Sequence, residues 1–152
     1  MSDNLINWEL KSFEGLTNKE LYNILHLRAE VFIIEQNCPY QDMDGKDIYS
    51  HHLMGTNGRN QLVAYARLLP ADIAFKEVSI GRVVTSPSVR RTGGGTQLMQ
   101  TALQLIEEKY GKVPVRIGAQ LYLKKFYERF GFVQVSEMYL EDDIEHIEML
   151  KD

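Results

Sequence analysis

Cysteine is nearly missing from this chain: Cys38 stands alone among 152 residues, so no intramolecular disulfide can form. No apolar run approaches the roughly 18 residues that a membrane-spanning helix needs. The start, Met1-Ser2-Asp3-Asn4, has neither the basic residues nor the apolar stretch of a signal peptide. These absences lead to the expectation of a cytoplasmic protein outside any membrane. Positive charge is also not in excess, with 17 Lys and Arg against 21 Asp and Glu and a formal net charge of −4. A nucleic-acid binder usually carries a basic face, so nucleic acid is excluded as the expected partner. Proline is scarce at four residues, and no Pro/Gly/Ser-rich linker or repeat interrupts the chain. The expectation is one domain over residues 1–152, long enough to bury a sizeable core.

What is present reads as alternating strands and helices. Residues 8–13 alternate as a strand does. Thr17-Asn18-Lys19-Glu20 is a capping box in which Thr17 accepts from an early helix N–H and Glu20 reaches back. Leu21, Ile24, Leu25, Val31 and Phe32 follow at helical spacing, predicting a helix over residues 18–34. A polar loop of about 16 residues (35–50) carries Asp42, Asp44 and Asp47; loops of that length are often functional. Strands over 51–55 and 61–69 are joined through Asn57-Gly58, a hairpin signal, and 78–85 is a further strand. Residues 90–95 open a second helix with the stripe Leu98, Met99, Ala102, Leu103 and Ile106, stopped by Gly111 and Pro114. A strand over 115–119, a third helix over 121–130 closed by Gly131, and a strand pair over 133–140 and 145–150 complete the order β-α-β-β-β-α-β-α-β-β.

The strongest local signal is the run Arg90-Arg91-Thr92-Gly93-Gly94-Gly95-Thr96 between a strand and a helix. Glycines let the backbone approach a ligand closely. The helix start presents unpaired N–H groups and a positive dipole end, which suit phosphate oxygens, and the arginines add charge-assisted bonds. A nucleotide P-loop is excluded because no lysine follows Gly95, and the dinucleotide fingerprint fails because residue 98 is leucine.

Arg90-x-x-Gly93-x-Gly95 resembles the Gln/Arg-x-x-Gly-x-Gly/Ala signature of the GNAT acetyltransferases, and the element order resembles theirs. Phe126-Tyr127-Glu128-Arg129-Phe130-Gly131-Phe132 is similar to that family's tyrosine helix. Within the family, Val31–Gly45, Ala64-Tyr65-Ala66-Arg67-Leu68, Ile80-Gly81-Arg82-Val83, Gly118-Ala119-Gln120 and residues 141–147 resemble the ElaA-like group. The last segment departs from that group's usual form, having Asp143 in place of glycine and Glu145 in place of proline. The resemblance implies an α+β (mixed α/β) fold. Its central, mostly antiparallel sheet has about six or seven strands, with parallel strands 4 and 5 splayed apart and helices flanking. It implies acetyl-CoA as cosubstrate, no metal, and a primary amine of a small molecule or peptide as acceptor. A homodimer is possible for such folds. Backbone groups of Val83, Val84 and Thr85 would bond the pantetheine arm. Arg90, Arg91, Thr92, Gly93, Gly94, Gly95 and Thr96 would hold the pyrophosphate, and Gln120 would touch the cofactor.

Direct attack on a thioester needs a neutral amine, a polarised carbonyl and a stabilised leaving thiolate. An alkyl amine with pKa about 10.4 is mostly protonated at pH 7, a penalty of roughly 4–5 kcal/mol. Candidates to take the proton are Glu35, Asp42, Asp44, His51, His52 and His146. Histidine suits the task by its ordinary titration range, and His146 lies in the strand pair that borders the acceptor cleft in this fold. Glu35 ends the first helix and is a candidate base or amine anchor. A backbone N–H near Val84 would polarise the carbonyl. Tyr127 is the candidate for the sulfur, donating to the thiolate. Arg67 and Arg82, inside strands, are expected to pair with the loop acids. Asp42-x-Asp44-Gly45-x-Asp47 fails as an EF-hand because its glycine falls at the wrong position. His51 and His52, adjacent on a strand, face opposite sides and are poor co-ligands.

Overall fold

The computed structural model describes residues 5–152. Strand β1 (Asn7–Ser12) leads through a turn into helix α1 (Asn18–Arg28). The capping box is present in both halves: Glu20 N–H donates to Thr17 Oγ1 at 3.1 Å, and Thr17 N–H donates to Glu20 Oε1 at 2.9 Å. The helix does not run on to residue 34 as an α-helix. It widens into a π-helical segment (Ala29–Glu35), where Gln36 N–H bonds Val31 O at 3.2 Å and Cys38 N–H bonds Ile33 O at 3.0 Å. Val31, Ile33 and Ile34 are β-branched and weak helix formers, and such widened turns cluster at functional sites.

Strands β2 (His51–Thr56), β3 (Leu62–Leu69) and β4 (Val78–Thr85) form an antiparallel meander with β1. The β2–β3 connection is longer than an Asn-Gly two-residue turn. Asn57 Oδ1 accepts from Arg59 and Gln61, and the left-handed residue is Asn60 (φ 59°). A short 3-10 turn (Pro87–Thr92) precedes α2 (Gly94–Tyr110), so the second helix begins later than residues 90–95 suggest. Strand β5 (Val115–Gln120) is followed by a 3-10 turn (Leu121–Leu123) and a five-residue α3 (Lys124–Glu128), shorter than the helix read over 121–130. Gly131, at φ 96°, closes it in the left-handed region that a side chain disfavours. The expected strand 133–140 is two pieces, β6 (Val133–Gln134) and β7 (Tyr139–Glu141). Both pair with β8 (Ile144–Lys151).

Among the described residues the sheet thus has eight strands, ordered β1-β2-β3-β4-β5-β8-β6 with β7 also on β8. Splitting the 133–140 strand accounts for the excess over the expected six or seven. All pairs are antiparallel except β4–β5. The β7–β8 hairpin turns on Asp142 and Asp143, both left-handed at φ 51° and 64°. That is the two-residue geometry glycine usually serves, here adopted by two aspartates.

The two faces carry separate clusters. On one, α2 places Leu98, Met99, Ala102 and Ile106 against Leu53, Ala64, Ala66, Leu68, Ile117 and Met149; each large apolar side chain so buried contributes about 1.5–3 kcal/mol. On the other, Ile24, Leu27, Val31 and Phe32 of the first helical segment cover Met54, Tyr65 and Val84. These layers meet at β4 and β5, whose parallel pairing is confined to two residue pairs.

Candidate active site

Parallel pairing of β4 with β5 lasts for two residue pairs, Val78 with Val115 and Ser79 with Arg116. Beyond them β5 stays with β8 through Gln120, while β4 stays with β3 through Thr85. The strands therefore diverge, and among the described residues β4 from Ile80 onward has no sheet partner on its β5 side. A bulge deepens the gap: Val84 pairs with Tyr65, the next registered pair is Gly81 with Arg67, and Arg82 between them lies at φ 48°. Bulges re-aim side chains beside sites.

Two clefts open into this gap and share Phe32, Gln36, Val83, Gln120, Leu123 and Tyr127. The first, of about 520 Å³, is walled by Val31, Phe32 and Glu35 on one side and by Val84, Thr85, Arg90 and Gly95 on the other. It leads to the start of α2. There Gly93, at φ 80°, is the N-cap, and no side chain caps the helix. Among the described residues nothing lies within 4 Å of where a Gly93 Cβ would stand, and the Cβ position of Gly95 is open to within 3.6 Å of Phe126. The N–H groups at the helix start are thus free of side-chain partners and approachable, the condition an anion needs. Gly94 serves packing instead, since its Cβ would come to 2.8 Å from Val89 O. Arg90 makes a bidentate pair with Glu35 at 2.7 and 2.6 Å and also donates to Thr85 O. The guanidinium holds the Glu35 carboxyl below the usual range. Tyr127 is buried, packed edge-on against Phe126 and Phe132, and burial pushes its phenol up.

The second cleft has a volume of about 450 Å³. It is bounded by Tyr40, Asp44 and Lys46 of the long loop, by Gly81 and Arg82 of the bulge, and by Glu141, Asp142 and His146 of the β7–β8 hairpin. His146 Nδ1 lies 2.8 Å from Ile144 O. A carbonyl only accepts, so Nδ1 carries the proton and neutral His146 keeps its lone pair on Nε2. That nitrogen lies 3.4 Å from Glu141 Oε2, a carboxylate that would stabilise an imidazolium.

The long loop is held by alternating charges. Arg28, fully buried, donates to Asp42 Oδ2 at 2.9 Å and Asp47 Oδ1 at 2.8 Å. Arg67 forks onto both Asp44 oxygens at 2.8 and 2.6 Å and reaches Asp47 at 3.0 Å. Arg82 donates to Asp42 Oδ1 and Asp42 O, each at 2.8 Å. His52 joins through Asp47 O at 2.9 Å and the Tyr65 hydroxyl at 2.6 Å. Burial alone would push the Asp44 and Asp47 carboxyls up, but the arginines outweigh it and hold both below the usual range. Burial, with Arg28 and Arg67 nearby, lowers His52. Pairing of Arg67 and Arg82 with the loop acids is as expected.

The profile of the acetyltransferase (GNAT) domain family matches residues 16–152. Protein ElaA of Escherichia coli is 42% identical over 150 residues, 97% of each chain. The crystal structure of E. coli ElaA superposes with a TM-score of 0.90, covering 97% of this chain and 100% of that one. An acyl-CoA N-acyltransferase from Pseudomonas aeruginosa is 48% identical with a TM-score of 0.92, over 97% and 100% of the two chains. The chain belongs to the GNAT acetyltransferase family. A more distant GNAT fold, an aminoglycoside 6'-N-acetyltransferase complexed with coenzyme A, is 15% identical with a TM-score of 0.68, covering 94% and 96%. The fold class anticipated from the motifs is the GNAT fold observed.

Of the GNAT site residues anticipated from sequence, Val83, Val84, Thr85, Arg90, Gly95, Gln120 and Tyr127 come together around the first cleft with Glu35. Arg91, Thr92, Gly93, Gly94 and Thr96 lie in the turn and helix start beyond it. His146 stands in the second cleft, on the far side of the shared residues from Glu35. His52 is closed in the ion network, and His51 lines neither cleft. Sequence reading missed Arg28, Gln36, Glu141 and Arg129. Arg129 donates to Thr96 Oγ1 at 3.4 Å beside the helix start. Arg28 was detectable: it sits four residues after Ile24 and four before Phe32, on the buried stripe.

Proposed function

We propose that this chain is a single catalytic domain, an acetyl-CoA-dependent N-acetyltransferase acting on a primary amine of a small molecule or peptide in the cytoplasm. The observation that carries this is the meeting of two clefts at Tyr127, where β4 and β5 diverge. The first cleft has an unpaired strand edge for amides and an uncapped helix start for a diphosphate, so its residues fit coenzyme A. When bound, acetyl-CoA supplies an activated thioester carbonyl. Main-chain N–H groups of Gly94, Gly95 and Thr96, with Arg91 and Arg129, hold the phosphates. Backbone groups of Val83–Thr85 receive the pantetheine arm, a main-chain N–H beside Val84 on the unpaired edge of β4 stands as oxyanion donor, Val84 itself being paired with Tyr65, and Gln120 lines the passage.

His146 Nε2 accepts the proton of the incoming ammonium from the second cleft, and Glu141 stabilises the imidazolium. The amine nitrogen bonds to the acetyl carbon as the carbon–sulfur bond breaks, and the second proton shed by the nitrogen passes to the departing sulfur, which leaves as the thiol. Tyr127, with its phenol raised by burial, stays protonated and donates a hydrogen bond to the departing sulfur rather than surrendering its proton. Glu35 keeps Arg90 oriented against Thr85 O and has no part in the proton transfer.

The test is thiol release from acetyl-CoA with a panel of amines, repeated with Tyr127→Phe. The expected result is amine-dependent release that drops about 10–100-fold in the variant with coenzyme A affinity retained. Coenzyme A binding with no release on any amine would make the protein a binding module instead.

A further inference from the structure

Resting on the acetyltransferase reading, we infer that Tyr139 is a positioning residue of the transfer. Its ring, set against His146, holds the imidazole in the second cleft and shares the positive charge that the imidazole takes up. Tyr139 acts through His146 and is not itself among the residues that line the cleft.

The placement follows from register. His146 on β8 stands opposite Gln120 on β5 and opposite Tyr139 on β7. Directly opposed residues point to one face of a sheet, so the three side chains form a row with His146 in the middle. The ring centroids of Tyr139 and His146 are 5.9 Å apart and their planes are tilted by 25°, an offset-stacked arrangement. Among the described residues no other ring lies against His146.

A glycine makes room for this. The Tyr139 side chain reaches over β8 to β5, where a Cβ on Gly118 would stand 3.4 Å from its Oη and 3.8 Å from Phe75 Cζ. A side chain longer than a methyl at 118 would take the place of the hydroxyl end. That hydroxyl makes no hydrogen bond among the described residues, and burial pushes the phenol up, so it stays neutral. What Tyr139 brings to His146 is therefore the ring.

The polar contacts alone leave the imidazole loosely held. Nδ1 donates to Ile144 O at 2.8 Å, and one hydrogen bond permits rotation about its own axis. Glu141 meets Nε2 at 3.4 Å with a side chain that is 61% exposed, so water competes for that contact. The Tyr139 ring closes one face of the imidazole, and its negative π-face attracts the imidazolium. Other ionisable groups line the cleft with His146: Glu141 and Asp142 from its own hairpin, Tyr40, Asp44 and Lys46 from the long loop, Arg82 from β4 and Tyr127 from α3. Glu148, next on the same face of β8, is bonded to Arg116 at 3.0 Å. Substitution at 139 leaves all of them in the chain, so the ring is the variable.

The test is an NMR titration of the His146 ring in the full chain, with its signal assigned by its loss in His146→Gln. Tyr139→Leu removes the ring and should lower the His146 midpoint by about half a pH unit, the size of a modest cation–π contact. Tyr139→Phe keeps the ring and should titrate as the parent does. Amine-dependent thiol release should follow the same order, several-fold lower in Tyr139→Leu and near parental in Tyr139→Phe, with equal calorimetric coenzyme A affinity in all three. If Tyr139→Leu does not fold, Tyr139→Met supplies the ringless chain. An unchanged midpoint in the ringless variant, or a Tyr139→Phe that behaves like it, overturns this inference alone. Thiol release undiminished in His146→Gln removes His146 as the base and this inference with it. No release from any amine overturns the acetyltransferase reading and the inference together.

Discussion

Arg82, at a left-handed φ of 48°, donates from Nε to Asp42 Oδ1 and from Nη2 to Asp42 O, each at 2.8 Å. The bulge of β4 and the long loop are thus joined across 40 residues of sequence. A non-glycine residue in that region costs on the order of 1 kcal/mol, and the forked contact offsets it. The same guanidinium lies 5.9 Å from the centre of the Tyr40 ring, on the wall of the second cleft.

Arg82→Lys keeps the charge and loses the fork. The expected outcome is a rise of about tenfold in KM for the amine with coenzyme A affinity unchanged, checked by steady-state kinetics and calorimetry. A matching loss in coenzyme A affinity would mean that Arg82 serves the first cleft instead.

Arg28 is wholly buried with two carboxylate partners. Arg28→Ala leaves Asp42 and Asp47 short of a cation inside the protein and is expected to cost about 3–5 kcal/mol in urea unfolding. A loss under 1 kcal/mol would show that the loop relaxes freely without it.

The adjacent glycines Gly94 and Gly95 should behave differently. Gly94→Ala drives a methyl to 2.8 Å from Val89 O, a backbone atom, and is expected to lower stability by about 1–3 kcal/mol. Gly95→Ala has 3.6 Å of room and should keep the unfolding midpoint. It nevertheless narrows the first cleft, so coenzyme A binding should weaken several-fold. Unfolding curves and calorimetry on the two variants check the contrast.

Acid should unfold the protein in two stages. His52 has a lowered native pKa, so the unfolded state binds more protons in the window from about 6.5 downward. Its contribution is complete above that pH and is lost as pH falls through the window. Asp44 and Asp47 are likewise depressed; their contribution is complete above about 3.9 and is lost as pH falls further. Urea midpoints from pH 8 to 3 should show both steps, with the upper one smaller in His52→Gln, because burial lowers His51 as well.

The local features were the legible ones. The Thr17–Glu20 box could be read because both of its halves lie within four residues, and the helix start at the glycine run because its orphan N–H groups follow from chain geometry. The widening of the helix after Arg28 was not legible, because a π-turn changes the hydrogen-bond partner without changing the apolar spacing of Ile24, Arg28 and Phe32. The gap between β4 and β5 is a tertiary relationship set by pairing that stops after two residues. Nothing in 78–85 or 115–120 alone announces it, and family motifs supplied that expectation. Pairing of the loop acids with Arg67 and Arg82 was legible, while Arg28, their third partner, lies on α1, so the closed network emerges only in the folded chain. Asn60 rather than Gly58 took the left-handed position because Asn57 closes a longer loop.

The structure of the protein crystallised with coenzyme A tests the central claim most directly. The account predicts the diphosphate against the main-chain N–H groups of Gly94–Thr96, the pantetheine arm along Val83–Thr85, and the sulfur beside Tyr127 at the junction of the two clefts. Coenzyme A bound elsewhere, with the divergence of β4 and β5 empty at saturating concentration, would contradict it.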